Sequence, residues 1–182
     1  MLISKRNEEK RKLRKAKIQS VIDFGFETDR DELTGAMIRS DFERDLSQLD
    51  SMTEKEKLNI GIMIMDANHL AHLNEISGRE KGDLAIQLMY ESAKVIINSS
   101  RKCYRTEDDE FIIISLDGKI SKDEMFAIRE AFNKMAMDRN FRLGIGIASG
   151  VFDPFLDLSL KNTESRVRKR LYANKIQMDE RE

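Results

Sequence analysis

The chain predicts an α+β fold, a mostly antiparallel sheet with helices packed on it. Three observations carry this. Short apolar runs with strand character alternate with longer segments of helical period. Two of the strand-like runs are joined by a short polar, acidic turn, which makes them a hairpin. The remaining strands are separated by helix-length segments, so the helices must cover the sheet.

Composition narrows the classes first. At 182 residues the chain suits one domain with an appended element. Charged residues make up 36% of it, well above the ~25% of ordinary globular chains, which calls for extensive solvated helical faces. The net charge of -1 gives no global field for nucleic acid or an anionic membrane. Cys103 is the sole cysteine, so no intrachain disulfide is available. No stretch approaches the ~20 apolar residues of a membrane span, and the N-terminus lacks the apolar core of a signal peptide. A cytoplasmic protein with no nucleic-acid partner and no membrane span is expected.

Taken in order, residues 1–28 form a basic N-terminal helix or linker, and residues 29–182 form the domain. Lys5, Arg6, Lys10, Arg11, Lys12, Arg14, Lys15 and Lys17 face only Glu8 and Glu9 in the leading segment. Leu13, Ala16, Ile18, Val21 and Ile22 add a narrow apolar stripe that can pack on the body or pair with a second copy. A basic helix can also touch nucleic acid or lipid headgroups, but the interleaved aromatics of a nucleic-acid surface are missing.

From Asp29 a turn leads into a helix through Phe42, Leu46 and Leu49, with Thr34 or Asp31 as its cap. Asn59 to Asp66 is a short apolar run ending in a carboxylate, which reads as a buried central strand. A short helix from Ala67 to Leu73 follows, then a turn from Asn74 to Gly78. A long helix from Lys81 to Ile97 turns Leu84, Leu88, Ala93 and Ile96 inward. Cys103-Tyr104 and Phe111 to Leu116 make the hairpin. Ser121 caps a helix carrying Met125, Ile128, Phe132 and Met135, Phe141 to Ala148 alternates as a strand, and Leu160 to Lys175 is the last helix. Pro154 is the single proline and lies in the loop before that helix.

The hairpin turn stands out chemically. Glu107, Asp108, Asp109 and Glu110 are four consecutive carboxylates, and such a run needs solvent, a counter-cation or a metal. It reads either as a wet hairpin tip or as part of a cation site. Asp66, at the end of the central strand, reads either as a helix cap or as a second ligand. A carboxylate at a strand end beside another at a hairpin turn is how palm-type nucleotidyl transferases hold Mg²⁺, which binds phosphates and activates a hydroxyl. The fold class is therefore palm-like.

Five segments in order resemble a GGDEF domain, the diguanylate cyclase family. Asp31-Glu-Leu-Thr-Gly35 with Arg39 and Phe42 is similar to its opening D-x-L-T-G-x-x-N-R-x-x-F. Asp66-Ala-Asn-His-Leu-Ala71, Asn74-Glu75 and Gly82-Asp83 are similar to D-x-D-x-F-K, N-D and G-H-x-x-G-D. Arg105 to Phe111 stands where R-x-G-G-D-E-F belongs. Gly144 to Ala148 resembles S-x-G-[IV]-A, and Leu171 to Lys175 resembles [LM]-Y-x-A-K.

That resemblance implies a nucleotidyl-cyclase form of the palm with a lead helix, and condensation of two GTP molecules into cyclic di-GMP by a homodimer. It implies Asp66, Asp109 and the Ala67 carbonyl as ligands of Mg²⁺ or Mn²⁺, and Asp109 with Glu110 as catalytic acids. Asn74 and Asp83 would read guanine, and Lys175 would bind phosphate. The departures gather where phosphates should lie. The two signature glycines are Glu107 and Asp108, whose bulk and charge oppose a triphosphate by on the order of a few kcal/mol each before screening. The lysine expected after the Asp66 segment is Ala71, and an arginine expected beyond Lys175 is Asp179. Arg79 replaces a histidine and Asn68 an aspartate, while the product-binding R-x-x-D aligns with Asn98-Ser-Ser-Arg101 and is absent. Arg166, Arg168, Lys169 and Arg170 read as a solvated helix face. The expectation is a degenerate GGDEF domain that binds GTP or a related guanine nucleotide with weak or no cyclase activity. The alternatives are an active diguanylate cyclase and a non-catalytic dimerisation scaffold.

Overall fold

The apolar run at the centre of the chain forms a strand buried on both faces, and everything else is placed by it. The computed structural model describes residue 12 and residues 29–179. The elements are β1 (Met37–Ile38), α1 (Arg39–Asp50), α2 (Glu54–Lys57), β2 (Gly61–Ala67), α3 (Leu70–Ser77), α4 (Arg79–Ala93), β3 (Arg101–Arg105), β4 (Glu110–Ser115), α5 (Lys122–Asp138), β5 (Ile145–Val151) and α6 (Leu160–Asp179). The sheet order is β1-β3-β4-β2-β5. Every pairing is antiparallel except β1 with β3. This is the mostly antiparallel palm-like α+β architecture that the sequence predicts.

Strand alternation splits the apolar residues into two cores. Met63, Met65, Phe111, Ile113, Ile145 and Ile147 face one way, onto Ile86 and Met89 of α4 and Ile128 and Phe132 of α5. Ile62, Ile64, Ile112, Ile114 and Ala148 face the other way, onto Leu46 and Leu49 of α1 and Val167 and Leu171 of α6. A strand covered on both faces reads as a continuous apolar run, and β2 does. The expected cap of α5 is present: Glu124 N–H donates to the Ser121 hydroxyl while the Glu124 carboxylate accepts from Ser121 N–H.

Several boundaries differ from expectation, each for a local reason. The last strand begins at Ile145 rather than Phe141, because Phe141 belongs to the end of α5. Asn140 adopts a left-handed φ of 58°, and Phe141 N–H donates back to the Ala136 carbonyl at 3.1 Å. The short helix runs from Leu70 to Ser77, so Asn74 is helical and only Gly78, at φ 84°, separates α3 from α4. Asp66 and Ala67 are drawn into β2 by their pairing with β4 and β5. Asp31 does not cap α1. Its carboxylate accepts from the Thr34 amide and hydroxyl and closes a turn, and α1 starts after Ile38 without a side-chain cap. Strand β1 has no counterpart in the sequence pattern, because two residues carry too little periodicity. The long helix ends at Ala93, and α6 continues to Asp179. The basic segment expected to form a lead helix lies, apart from Lys12, outside the described residues. Among the described residues no helix is long and apolar enough to cross a membrane.

Candidate functional site

Asp66 is the next-to-last residue of β2, opposite Glu110 on β4 and Gly146 on β5. Ala67 N–H donates to the Asp109 carbonyl at 3.1 Å, which joins the strand end to the hairpin turn. The strand end that carries Asp66 and the turn that carries Asp109 are thus brought to one place. Lys175 reaches them from α6, where its ammonium donates to Asp66 Oδ1. Gly146 makes that path possible: a Cβ there would stand 3.0 Å from both Lys175 Cε and Leu171 Cδ1.

Burial raises the Asp66 carboxyl above its ordinary value; Lys175 pulls it back down, and the charges of Asp109 and Glu110 push it up again. The acids therefore share one field. Among the described residues no three His, Cys, Asp or Glu side chains converge as a metal cage. Two carboxylates and a backbone carbonyl nonetheless suit Mg²⁺ or Mn²⁺, because such ions keep several waters and take one or two carboxylates plus substrate phosphates. The donor chemistry fits a hard cation.

Glu110 is placed differently from Asp109. It is 3% exposed. Thr106 Oγ1 donates to its Oε1 at 2.7 Å, Arg168 Nη2 donates to the same oxygen at 2.9 Å, and Arg168 Nη1 donates to Oε2. Glu164 brackets the guanidinium from the other side at 2.9 Å. The expectation of a solvated basic face on α6 is therefore corrected. Arg166 binds Asp157, with Nε donating at 2.9 Å, and the Val151 carbonyl at 2.9 Å. Arg170 donates to the Ser149 carbonyl at 2.8 Å, and only Lys169 is exposed without such an anchor. The Glu164–Arg168 spacing of four was the available signal for this role.

Asn74 and Asp83 lie on successive helices joined at Gly78. Asn74 is half-buried and Asp83 exposed. The Asn74 carboxamide lies directly on Gly82, where a Cβ would stand 1.8 Å from its Oδ1. That oxygen is buried with no protein partner, shut against the helix that carries Asp83. Asn68 is also buried with an unpartnered Oδ1, and its backbone N–H donates to the Gly144 carbonyl at 2.8 Å. Ala71 and Arg79 are exposed.

The turn between the hairpin strands is braced on the α1 side. Arg39 pairs with Glu107 at 2.5 Å, while Arg105 pairs with Asp31 at 3.0 Å and donates to the Asp108 carbonyl at 2.7 Å. Asp108 is exposed. Glu107 thus has a cationic partner drawing it sideways. In the segment aligned with the product-binding motif, Arg101 is held by Asp117 at 3.0 Å and Glu124 at 2.6 Å. A cavity of about 600 Å³ opens between α3, α5 and residues 141–144 beside Asn68, and one of about 460 Å³ lies among α1, the hairpin turn and α6. Neither is lined by Asp66, Asn74, Asp83 or Asp109.

Known proteins resemble this chain in sequence pattern and in fold. Residues 28–181 match the family described as diguanylate cyclase, GGDEF domain. Over 147 residues the chain is 26% identical to the probable diguanylate cyclase DgcJ of Escherichia coli (strain K12), covering 80% of this chain and 29% of that protein. It is 22% identical over 121 residues to an uncharacterized membrane protein of Staphylococcus aureus (strain USA300), covering 66% of this chain and 29% of that one. The chain therefore spans less than a third of the length of these relatives. Among solved structures, diguanylate cyclase SiaD of Pseudomonas aeruginosa, in complex with its activator SiaC, superposes with a TM-score of 0.72 at 16% identity, over 96% of this chain and 66% of that one. The GGDEF domain of DgcB from Caulobacter crescentus, in complex with c-di-GMP, gives 0.68 at 18% identity, over 84% and 94%. The fold is common to the two solved structures, and because the match to the family's own sequence pattern runs through nearly every described element, the chain belongs to the diguanylate cyclase GGDEF-domain family.

Proposed function

We propose that this GGDEF domain of cyclic di-GMP signalling binds a guanine nucleotide, GTP or a close relative, together with Mg²⁺ or Mn²⁺, and turns it over weakly or not at all. The observation that carries the reading is the pairing of two half-sites of unequal quality. Asp66 and the Asp109 turn meet at the strand end, and the Asn74 carboxamide lies against Gly82, the residue before Asp83. A carboxylate facing the N1 and N2 donors of guanine, with an amide on the other edge, is a specific reader because either group left unpaired is costly. The phosphate side is poorer in cations: Ala71 is exposed and brings no charge, and Asp108 stands in the turn with its carboxylate exposed. A divalent cation held by Asp66, Asp109 and the Ala67 carbonyl supplies charge neutralisation for the triphosphate and activation of a hydroxyl. Lys175, whose stem crosses β5 at Gly146, is positioned to exchange Asp66 for a phosphate oxygen. Cyclic di-GMP contains two GMP units, so turnover requires a second copy of the domain, and the basic segment 1–28 is the proposed means of holding two copies together.

One observation favours the active alternative. Arg39 pairs with Glu107, which removes part of the repulsion that a glutamate in the turn would exert on phosphates.

Two measurements decide the matter. Titration calorimetry with GTP and Mg²⁺ is expected to show binding that Asp83→Ala weakens by about tenfold or more; no binding of any guanine nucleotide would leave only a scaffold. Incubation at high protein concentration with GTP and Mn²⁺ is expected to yield little or no cyclic di-GMP. Rapid formation that Asp109→Ala abolishes would establish the active reading instead.

A further inference from the structure

We infer that Arg168 withholds Glu110 from the cation site, leaving Asp66 and Asp109 as its carboxylates among the described residues, so that Arg168 sets how tightly the site binds a divalent ion. This rests on the reading that a cation binds at Asp66 and Asp109.

The geometry follows from strand register. Asp66 and Glu110 are directly opposed on β2 and β4, and opposed residues project to the same face of a sheet. Their neighbours Ile64 and Ile112 on that face belong to the core under α6. Helix α6 meets the two carboxylates with Arg168 and Lys175, seven residues and two turns apart on one helical face. The two contacts differ in kind. Lys175 offers Asp66 one ammonium on a flexible stem, a contact that exchanges easily. Arg168 holds both oxygens of Glu110 in a fork, and Thr106 adds a third donor.

A carboxylate has about four acceptor positions, and three of those on Glu110 are taken. The side chain is almost wholly buried. Recruiting it to a cation would strip Arg168 of its main partner while leaving the guanidinium half-buried against Glu164 alone. Glu110 therefore works as a pin between the hairpin and α6. Arg168 is a positioning residue.

The test is Mn²⁺ binding by calorimetry on the full chain without nucleotide, with a thermal melt of each variant. Arg168→Gln frees Glu110 as a third carboxylate and is expected to tighten Mn²⁺ binding by about tenfold. Adding Glu110→Gln to it is expected to cancel that gain, and Glu110→Gln alone is expected to stay within about twofold of the parent. A folded Arg168→Gln variant that binds no tighter overturns the inference. So does a Glu110→Gln variant that binds about tenfold more weakly, because Glu110 would then already be a ligand. Should Arg168→Gln not fold, the isosteric Glu110→Gln result decides alone. Failure of the underlying reading looks different: Asp66→Asn would leave Mn²⁺ binding at the parent level, or the parent would not bind at all.

Discussion

Replacing Gly82 by alanine separates the stability of α4 from the use of Asn74. Gly82 is buried in the first turns of that helix, and its φ is negative, so alanine meets no backbone strain. On helical propensity alone the change stabilises by about 0.5–1 kcal/mol. The added Cβ, however, would stand 1.8 Å from Asn74 Oδ1 and 2.8 Å from its Cγ, well inside any tolerable contact. The carboxamide must rotate away. Because Oδ1 has no protein partner in its present position, leaving it breaks no hydrogen bond, and the propensity gain survives. For a domain of this size the melting midpoint should rise by roughly 1–4 °C. In the proposed reading the same carboxamide pairs with guanine, so the loss of about 1–3 kcal/mol for an unmade contact is expected to weaken GTP binding roughly 5- to 150-fold. Differential scanning fluorimetry and GTP titration on one preparation check both arms. A variant that melts higher yet binds GTP at parental strength would refute the role of Asn74; one that melts several degrees lower would show that Gly82 serves packing beyond it.

Two further outcomes concern stability. Gly61→Ala points a Cβ at the Gly118 carbonyl oxygen, 2.4 Å away, and backbone cannot rotate aside as a side chain can; urea denaturation should show a loss of about 1–3 kcal/mol, and a parental midpoint would count against the contact. Asp157 is buried, which raises its carboxyl, yet Arg166, the Asp153 amide and the Thr163 hydroxyl together hold it below its ordinary 3.8. A folded value below the unfolded one means that the unfolded chain binds the proton first, so this stabilisation is present above pH 3.8 and is lost as pH falls through the folded value. Asp157→Asn should therefore cost about 3 kcal/mol at neutral pH, with the gap to the parent narrowing in acid; urea midpoints that stay equally separated from pH 7 down to about pH 3 would contradict it.

The legible parts of the site were those set by local pattern. Asp66 ends an apolar run, Asp109 sits in a turn between two strand-like runs, and Asn74 and Asp83 lie at motif spacing; the structure brings Asp66 to the hairpin and Asn74 to the helix turn that carries Asp83. The fate of Glu107, Glu110 and the arginines of α6 was not legible. One stretch of four carboxylates reads as a single acidic feature, yet Glu107 pairs with Arg39 and Glu110 with Arg168, partners 68 and 58 residues away in sequence. Similarly, Arg166 and Arg168 resemble a solvated face because charge on a helix is usually exposed, whereas here the helix packs against strand ends whose acids and carbonyls need donors.

Side-chain period and residues close together in the chain were enough for the longer helices and strands, the burial of the central strand, the family and the presence of a strand-end and a turn carboxylate. Only the tertiary structure decided how the acids are divided. Whether a carboxylate is a free ligand or a spent ion-pair partner depends on which cation the packing of α6 delivers to it, and that is fixed by register across β2 and β4, by the missing Cβ at Gly146 and by contacts over distances in sequence that no local pattern encodes.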